Sequence, residues 1–247
     1  MTLAVMLSAC ATSPLGRSQL SLVSDDRMSQ VGITAFQQIA DKTPVTQNGT
    51  QTRYVTCVAN AITTAIPGNA TPWDVKVFES KEINAFALPG GKIGVYTGLL
   101  DVATTQDQLA AVIGHEVSHV LARHSAERYS DQLATNAGAV LVSAVTGIDA
   151  DLLGNAAGVV LLKFSRTQES EADLLGLDLM SRAGFDPHGA VALWNNMARA
   201  ASGNKPPELL STHPSDSTRI AQLEKRLPQD IPLYQQARAA GRHPQCG

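Results

Sequence analysis

The chain has 247 residues, of which 44% are hydrophobic and 17% charged, a composition typical of a folded globular protein. This length is sufficient for one sizeable hydrophobic core. Because the net charge is only -3 and no run of like charges occurs, nucleic acid is not expected as a partner. Aromatic residues make up only 4%, so we expect a core of small aliphatic side chains at close helix contacts.

The first ten residues are apolar and end in Leu-Ser-Ala-Cys, which resembles a bacterial lipobox. We therefore predict a lipoprotein signal-like segment over 1–10 with lipidation of Cys10, although the apolar run is short and no basic residue precedes it. An apolar tail with an incidental cysteine is the alternative. Ala11, where an aspartate is absent, resembles the pattern that directs lipoproteins to the outer membrane. Residues 11–25 are polar and contain proline and glycine, which is typical of a tether.

Residues 26–230 are predicted to form one α+β domain, because strands occur early and helices late. Helices are predicted over 26–40 and 52–66, and a half-buried strand over 73–80. Residues 83–100 are typical of a β-hairpin around a Pro-Gly-Gly turn. Residues 231–247 are expected to form a C-terminal tail.

A central helix follows, which either Thr104 or Thr105 can cap, and it is predicted to run unbroken through a His-Glu-x-x-His sequence. Residues 133–163 contain two apolar blocks, each shorter than the about 18–20 residues that a membrane-spanning helix needs, so buried helices are predicted. Amphipathic helices are then predicted over 167–187, 188–202 and 214–228.

The His-Glu-x-x-His sequence places His115 and His119 on one face of the helix, at a separation that one zinc ion can bridge. Glu116 lies beside them, where a carboxylate can take a proton from water and later return it. A random chain of this composition would contain the motif with a probability of roughly 0.005. A metal site is therefore favoured over an ordinary helix that holds unconnected histidines.

A catalytic zinc site also needs a third protein ligand. On chemistry alone, both Glu169 and Glu171 are candidates, but they face about 200° apart on one helix, so only one of them can bind. His124 lies five residues beyond His119, near the opposite face of a continuous helix, and is not expected to bind the same ion. His188 and His243, in a turn and in the tail, are likewise expected to be structural or exposed.

The His-Glu-x-x-His sequence and the later Ser-Arg-x-x-Glu-x-x-Ala-Asp sequence, residues 165–173, resemble the M48 family of zinc metallopeptidases. This family includes Ste24-like and HtpX-like proteases and their periplasmic relatives. The similarity extends to NAFALPGGKIGVYTGLL upstream and to STHPSDSTRI downstream, so it covers roughly residues 50–228. It implies a zincin-type fold that is mainly helical, with a small sheet or β-hairpin beside the active-site helix.

The resemblance also implies roles for individual residues. One zinc ion per chain would be bound by His115, His119 and Glu169, with Glu116 as the catalytic acid–base. Asp173 would accept a hydrogen bond from a ligand imidazole. His213 would lie over the zinc, where it either donates to the oxyanion or takes the open metal position and blocks water. An edge strand beside the metal helix would pair with an extended substrate, with three residues nearest the cleft: Asn84, Ala85 and Phe86.

Two further features lie outside the zinc motifs. Arg219 is expected to fix the loop that carries His213 through a carboxylate, whose identity the sequence leaves open. Cys57 and Cys246 form an even pair once Cys10 is set aside, which predicts a disulfide in an oxidising compartment. A buried Cys57 and a free thiol in the tail are the alternative.

We therefore predict a periplasmic zinc endopeptidase, anchored by its N-terminal lipid at the outer membrane, which degrades misfolded or misassembled envelope proteins. A zinc-dependent chaperone or scaffold with low turnover and a non-peptide zinc amidase are the alternatives. Relatives with this quality-control role often carry extra repeats for partner binding. No such module is expected here, so a regulatory partner would have to act on the peptidase domain.

Overall fold

The computed structural model describes residues 10–69, 71–140, 163–201, 207–213 and 217–247. The predictions for residues 1–9, for Pro214 and for most of the apolar stretch 133–163 concern residues outside these ranges. Helices predominate in the described residues, beside two small sheets, and the predicted α+β class is confirmed. The helices are α1 Asp25–Lys42, α2 Gly49–Thr64, α3 Gln106–Leu121, α4 His124–Val140, α5 Arg166–Ala183, α6 His188–Ala201, α7 Glu208–Thr212 and α8 Ser217–Ala239. The strands are β1 Cys10–Thr12, β2 Ser18–Leu20, β3 Asp74–Phe78, β4 Ala85–Leu88 and β5 Lys92–Tyr96.

The larger sheet has the order β3-β5-β4 and contains the predicted hairpin. Strand β4 pairs antiparallel with β5, whereas β3 pairs parallel with β5, so β4 is an edge strand of this sheet. The turn between β4 and β5 places Gly90 and Gly91 at φ of 82° and 70°. A side chain at Gly91 would also collide with the carbonyl oxygen of Pro72, which explains the glycine at this position.

Helix α3 lies at the centre of the molecule, between β4 and the helices α2, α5 and α6. Every residue from Gln108 to His119 is buried, because neighbouring elements cover α3 on all sides. Most of the core around it is made of Ala, Val, Leu and Ile, as the composition predicts. A smaller cluster of rings from Phe36, Phe78 and Phe86 packs α1 against the sheet.

Two glycines allow α3 and α5 to approach each other closely. A Cβ atom added to Gly114 would lie 2.9 Å from the carbonyl oxygen of Gly176, and one added to Gly176 would lie 2.8 Å from the backbone nitrogen of His115. Both distances are shorter than real Cβ contacts allow. The two helices therefore touch through their backbones, and this contact brings His115 next to the acidic residues of α5.

Three parts of the chain differ from the predicted elements. Helix α3 ends at Leu121, because Arg123 has a φ of 56°, and α4 begins at His124. Residues 11–25, expected to be a tether, include the antiparallel pair β1–β2. Helix α8 continues through Pro228 and Pro232 into the expected tail.

The expected tail also returns to the body of the protein. Cys246 forms a disulfide with Cys57 of α2, with an S–S distance of 2.09 Å. The backbone nitrogen of Cys246 donates to the side-chain oxygen of Gln106 over 3.0 Å, and the Gln106 amide donates to the carbonyl of Pro244 over 3.0 Å. Packing against α5 and these terminal contacts hold α8 in place, although proline cannot donate the helical hydrogen bond.

Candidate metal centre

Four buried side chains converge at the middle of α3. They are His115 and His119 of α3, Glu169 of α5 and His213, which follows α7 directly, and one ligand atom from each lies within 4.8 Å of the others. The Nε2 atoms of His115 and His119 are 3.1 Å apart. Nδ1 of His213 lies 2.9 Å from Oε1 of Glu169 and 3.2 Å from Nε2 of His115. Oε1 of Glu169 is 3.6 Å from Nε2 of His119.

This set of donor atoms suits a divalent metal ion such as zinc, which binds imidazole nitrogens and carboxylate oxygens. The Nε2 atoms of His115 and His119 face each other at 3.1 Å, so either a metal ion or a proton must lie between them to prevent repulsion of their lone pairs. Burial lowers the pKa of His115, but its contacts with Asp173 and Glu169 raise that pKa by a larger amount. The pKa of His115 is therefore raised from 6.5 to about 9. The surroundings therefore favour a positive charge at this point.

A second row of contacts holds the ligands in place. Oδ1 of Asp173 lies 3.0 Å from Nδ1 of His115, a carboxylate contact on the side of the ring opposite to Nε2, which is directed at the cluster. Arg219 donates to Asp173 through Nε and Nη2, each over 2.7 Å, and its Nη1 lies 2.9 Å from Oε2 of Glu169. The guanidinium also stacks over the ring of Trp194 at 4.0 Å. Asp173 and Glu169 are thus the carboxylates that Arg219 contacts.

Glu116 lies on the cleft side of the cluster and is buried. Its Oε1 makes no hydrogen bond among the described residues, and Nε2 of His213 is 3.4 Å away. Burial raises the pKa of Glu116, although the nearby His213 and His115 oppose that effect. A buried carboxylate oxygen without a partner fits a position where water binds and gives up a proton.

The cluster opens into a cleft between β4 and α3. Asn84 and all four residues of β4 line this cleft, opposite Glu116, His119 and His213. The ring of Phe164 stacks on His119 with centroids 3.9 Å apart, and it also lines the cleft. Sequence reasoning missed Phe164, because its position beside His119 depends on how distant segments pack.

The second candidate carboxylate, Glu171, is directed away from the cluster. Its Oε2 lies 3.2 Å from Nε2 of His124 and 3.0 Å from Nε of Arg17. His124 is fully buried, with its Nδ1 2.9 Å from Nδ1 of His119. His124 is not one of the four clustered side chains, but the prediction that it lies near the opposite face is wrong, because α3 ends at Leu121 instead of continuing. His188 and His243 are exposed, as expected.

Residues 49–227 match the sequence profile of Peptidase family M48. The chain belongs to this family. The resemblance recognised in the sequence is thus confirmed, and with it the prediction that the protein is a metalloendopeptidase with an α+β fold.

Several curated members of the family are similar to this chain. Mitochondrial metalloendopeptidase OMA1 of Schizosaccharomyces pombe is 40% identical over 181 residues, which are 72% of this chain and 53% of that protein. The beta-barrel assembly-enhancing protease of Escherichia coli strain K12 is 30% identical over 243 residues, 93% of this chain and 50% of that protein. Metalloprotease LoiP of Escherichia coli strain K12 is 32% identical over 214 residues, 84% of this chain and 83% of that protein. The chain therefore spans about half the length of the first two relatives.

Among the helices that the structure describes, none combines the length and the apolar character needed to cross a lipid bilayer.

Proposed function

We propose that the protein is a zinc-dependent endopeptidase of the bacterial cell envelope, with one Zn2+ per chain bound by His115, His119 and Glu169. The observation that carries this proposal is the convergence of two Nε2 atoms and one carboxylate at a buried point beside Glu116, whose Oε1 has no hydrogen-bond partner in the described part of the chain. Three protein ligands that include no cysteine are typical of a catalytic zinc site.

A zinc ion bound there would supply a Lewis acid for the scissile carbonyl and would acidify a bound water. Glu116 takes a proton from the attacking water and delivers it to the leaving amine. The buried surroundings raise its pKa, which suits a group that must both accept and return a proton near neutral pH. Asp173 and Arg219 keep the ligands in position during these proton transfers.

Substrate binding is assigned to the edge of β4. An extended peptide placed along Asn84, Ala85 and Phe86 would pair with the backbone of β4, since the other side of this strand already pairs with β5. Such main-chain pairing requires an extended chain and makes little demand on sequence. This requirement supports unfolded or misassembled proteins as substrates, because folded proteins rarely offer free extended segments.

His213 has two candidate roles. The closeness of its Nδ1 to Glu169 and His115 supports the blocking role, in which the ring occupies the fourth metal position. Donation to an oxyanion would require the ring to move out of the cluster towards the cleft. Arg219, whose Nη1 lies 3.4 Å from the carbonyl oxygen of His213, would set the range of that movement.

The proposed location is the periplasm, with a lipid on Cys10 that anchors the protein at the outer membrane. Cys10 is exposed at the start of β1, where a lipid would not disturb the core. The name of one relative, the beta-barrel assembly-enhancing protease of Escherichia coli, supports a role on envelope proteins. In cells that express the full precursor, Cys10→Ser should move the protein out of the membrane fraction. Unchanged fractionation would indicate another mode of attachment.

The test of the proposed activity compares the wild type with Glu116→Gln. Both proteins should carry about one zinc per chain by elemental analysis, but only the wild type should hydrolyse casein. Equal casein hydrolysis would exclude Glu116 as the catalytic base. Zinc binding without peptide hydrolysis in the wild type would favour a scaffold, and release of cell-wall fragments instead of peptides would favour an amidase.

A further inference from the structure

A chain of four side chains leads from the metal cluster to the N-terminal hairpin. His119 contacts His124 through their Nδ1 atoms over 2.9 Å. Nε2 of His124 lies 3.2 Å from Oε2 of Glu171, and Nε of Arg17 lies 3.0 Å from the same oxygen. Both histidines and Glu171 are buried, so the contacts among these three side chains are shielded from water.

The carboxylate of Glu171 fixes the direction of the hydrogen bonds on both sides of it, and the tautomer of His124 follows from this. Arg17 can only donate, and a carboxylate can only accept, so Nε2 of His124 must donate to Glu171. A neutral His124 then has a lone pair on Nδ1, and it accepts a hydrogen bond from Nδ1 of His119. His119 in turn presents the lone pair of its Nε2 to the cluster, which is the form that binds a metal ion.

The change of backbone direction at Arg123 makes the contact between His119 and His124 possible. On a continuous helix, residues five apart lie on different faces, and their rings cannot meet. Arg123 has a φ of 56°, which ends α3 and starts α4 in a new direction. The ring of His124 therefore lies on the Nδ1 side of the His119 ring, with the ring centroids 4.9 Å apart.

We propose that His124 is a positioning residue for the metal site, which holds the ring and tautomer of His119 through Nδ1 and is itself held by Glu171 and Arg17. This inference rests on the proposed zinc site, and it assigns to Glu171 a supporting role in place of a ligand role. A carboxylate usually lies directly beside the ligand imidazole, as Asp173 lies 3.0 Å from Nδ1 of His115. At His119, a second imidazole is inserted between the carboxylate and the ligand.

The proposal also connects the metal site to the N-terminal hairpin. Arg17 lies between β1 and β2, and it binds Glu127 of α4 through Nη1 and Nη2 in addition to Glu171. The Glu127 carboxylate is held further by Gln19 over 3.2 Å and by Gln168 over 2.7 Å. Displacement of the hairpin would remove Arg17 from Glu171 and loosen the support of His119.

Substitution of His124 by Asn or by Gln separates the two functions of its ring, which are to accept a hydrogen bond from His119 and to donate one to Glu171. In His124→Asn, the short side chain places an oxygen near the former Nδ1 and can still accept from His119, but it does not reach Glu171. In His124→Gln, the longer side chain places its amide near the former Nε2 and leaves His119 without an acceptor. His124→Phe removes both functions and keeps the ring volume. His188→Phe, at an exposed histidine, is the matched control.

The measurement is the dissociation constant for zinc, obtained by competition with a chelator on the full chain. Loss of a residue that supports a metal ligand typically costs about 10–100-fold in affinity, so we expect that increase in Kd for His124→Phe and His124→Gln. His124→Asn should remain within about threefold of the wild type, because it keeps the acceptor. In the cobalt-loaded proteins, the visible absorption bands should shift for the Phe and Gln variants but not for Asn or the control.

Arg17→Met tests the outer end of the chain. It should raise the Kd less than His124→Phe, and the double variant should bind zinc as His124→Phe does, because Arg17 acts on His119 only through His124. Equal zinc affinities and unshifted cobalt spectra for the Asn and Gln variants would overturn the proposal, even if His124→Phe fails to fold. Absence of zinc binding by the wild type would instead overturn the proposed function.

Discussion

Arg219 of α8 and Asp173 of α5 form a bidentate ion pair, with Nε and Nη2 of the guanidinium each 2.7 Å from a carboxylate oxygen. Both side chains are buried, and the third nitrogen of the guanidinium lies 2.9 Å from Glu169. Asp173 in turn lies 3.0 Å from His115. The C-terminal helix is therefore connected to two of the proposed metal ligands through one cation.

Replacement of this cation should destabilise the fold. Arg219→Met removes the guanidinium from two buried carboxylates, and removal of one partner from a buried ion pair typically costs about 3–5 kcal/mol. Urea denaturation of the zinc-free protein measures the loss. Lys92→Met, which removes an exposed pair with Asp74, should cost only about 0–1 kcal/mol. Equal effects of the two substitutions would show that the buried pair contributes no more than a surface pair.

The two candidate carboxylates should differ in their effect on metal content. Glu169→Ala should lose zinc on dialysis, as should His115→Ala and His119→Ala, because each removes a ligand. Glu171→Ala should retain zinc in stoichiometric amount, since Glu171 contacts His124 and Arg17 instead of the cluster. Elemental analysis after dialysis checks this prediction. Full zinc in Glu169→Ala together with zinc loss in Glu171→Ala would mean that the assignment of the third ligand is wrong.

Zinc binding should release about one proton per ion at pH 7. The pKa of His115 is about 9, raised from 6.5, so the zinc-free protein is protonated there at neutral pH. The metal requires the neutral ring, and apparent zinc affinity should therefore rise with pH up to about 9. For the zinc-free fold the sign is opposite, because the stability from this raised pKa is complete below pH 6.5 and is lost as pH rises through about 9. Calorimetric titration in buffers of different protonation enthalpy measures the proton count, and heats that do not depend on the buffer would contradict it.

His213→Ala should retain zinc and the fold, because three other ligands remain. If the ring blocks the fourth position, as its contacts with Glu169 and His115 support, its removal should increase turnover of a short peptide substrate. If its main role is donation to the oxyanion, turnover should instead fall by about 10²–10³. Steady-state rates on a peptide and on casein distinguish the two roles, and unchanged rates on both would remove His213 from the mechanism.

Loss of the disulfide should lower the free energy of unfolding by about 2–4 kcal/mol, because the bond closes a long loop in the unfolded chain. The sequence separation of Cys57 and Cys246 is 189 residues. Cys246→Ser tests this expectation by chemical denaturation under oxidising conditions. Cys10→Ser is the control, since Cys10 is an exposed free cysteine and its replacement should leave stability unchanged. Two additional free thiols in denatured, unreduced protein would show that the bond does not form.

The centre of the site could be predicted from the sequence because its pattern is local. His115 and His119 are four residues apart on a helix, and the Pro-Gly-Gly turn identifies the hairpin. Helical geometry alone also establishes that Glu169 and Glu171 cannot both bind one ion. The family resemblance then decides between them.

The surroundings of the site depend on contacts that no local pattern predicts. Arg17 reaches Glu171 across 154 positions of sequence, so the segment that carries it could only be interpreted as a polar tether. Arg123 adopts a left-handed conformation that arginine rarely takes, and nothing in its neighbours signals the end of α3 there. The two prolines of α8 argued for an early end of the helix, whereas packing against α5 extends it.

The backbone contact between Gly114 and Gly176 acts as a mechanical stop. Helices α3 and α5 cannot come closer together, so the cage that His115, His119 and Glu169 form between them cannot collapse when no ion is present. When an ion binds again, the spacing of its ligands is already set. The cage is therefore ordered when the protein folds and not when the metal ion binds. One methyl group at either glycine would push the two helices apart and widen the cage, because its Cβ would lie within 3.0 Å of the facing backbone.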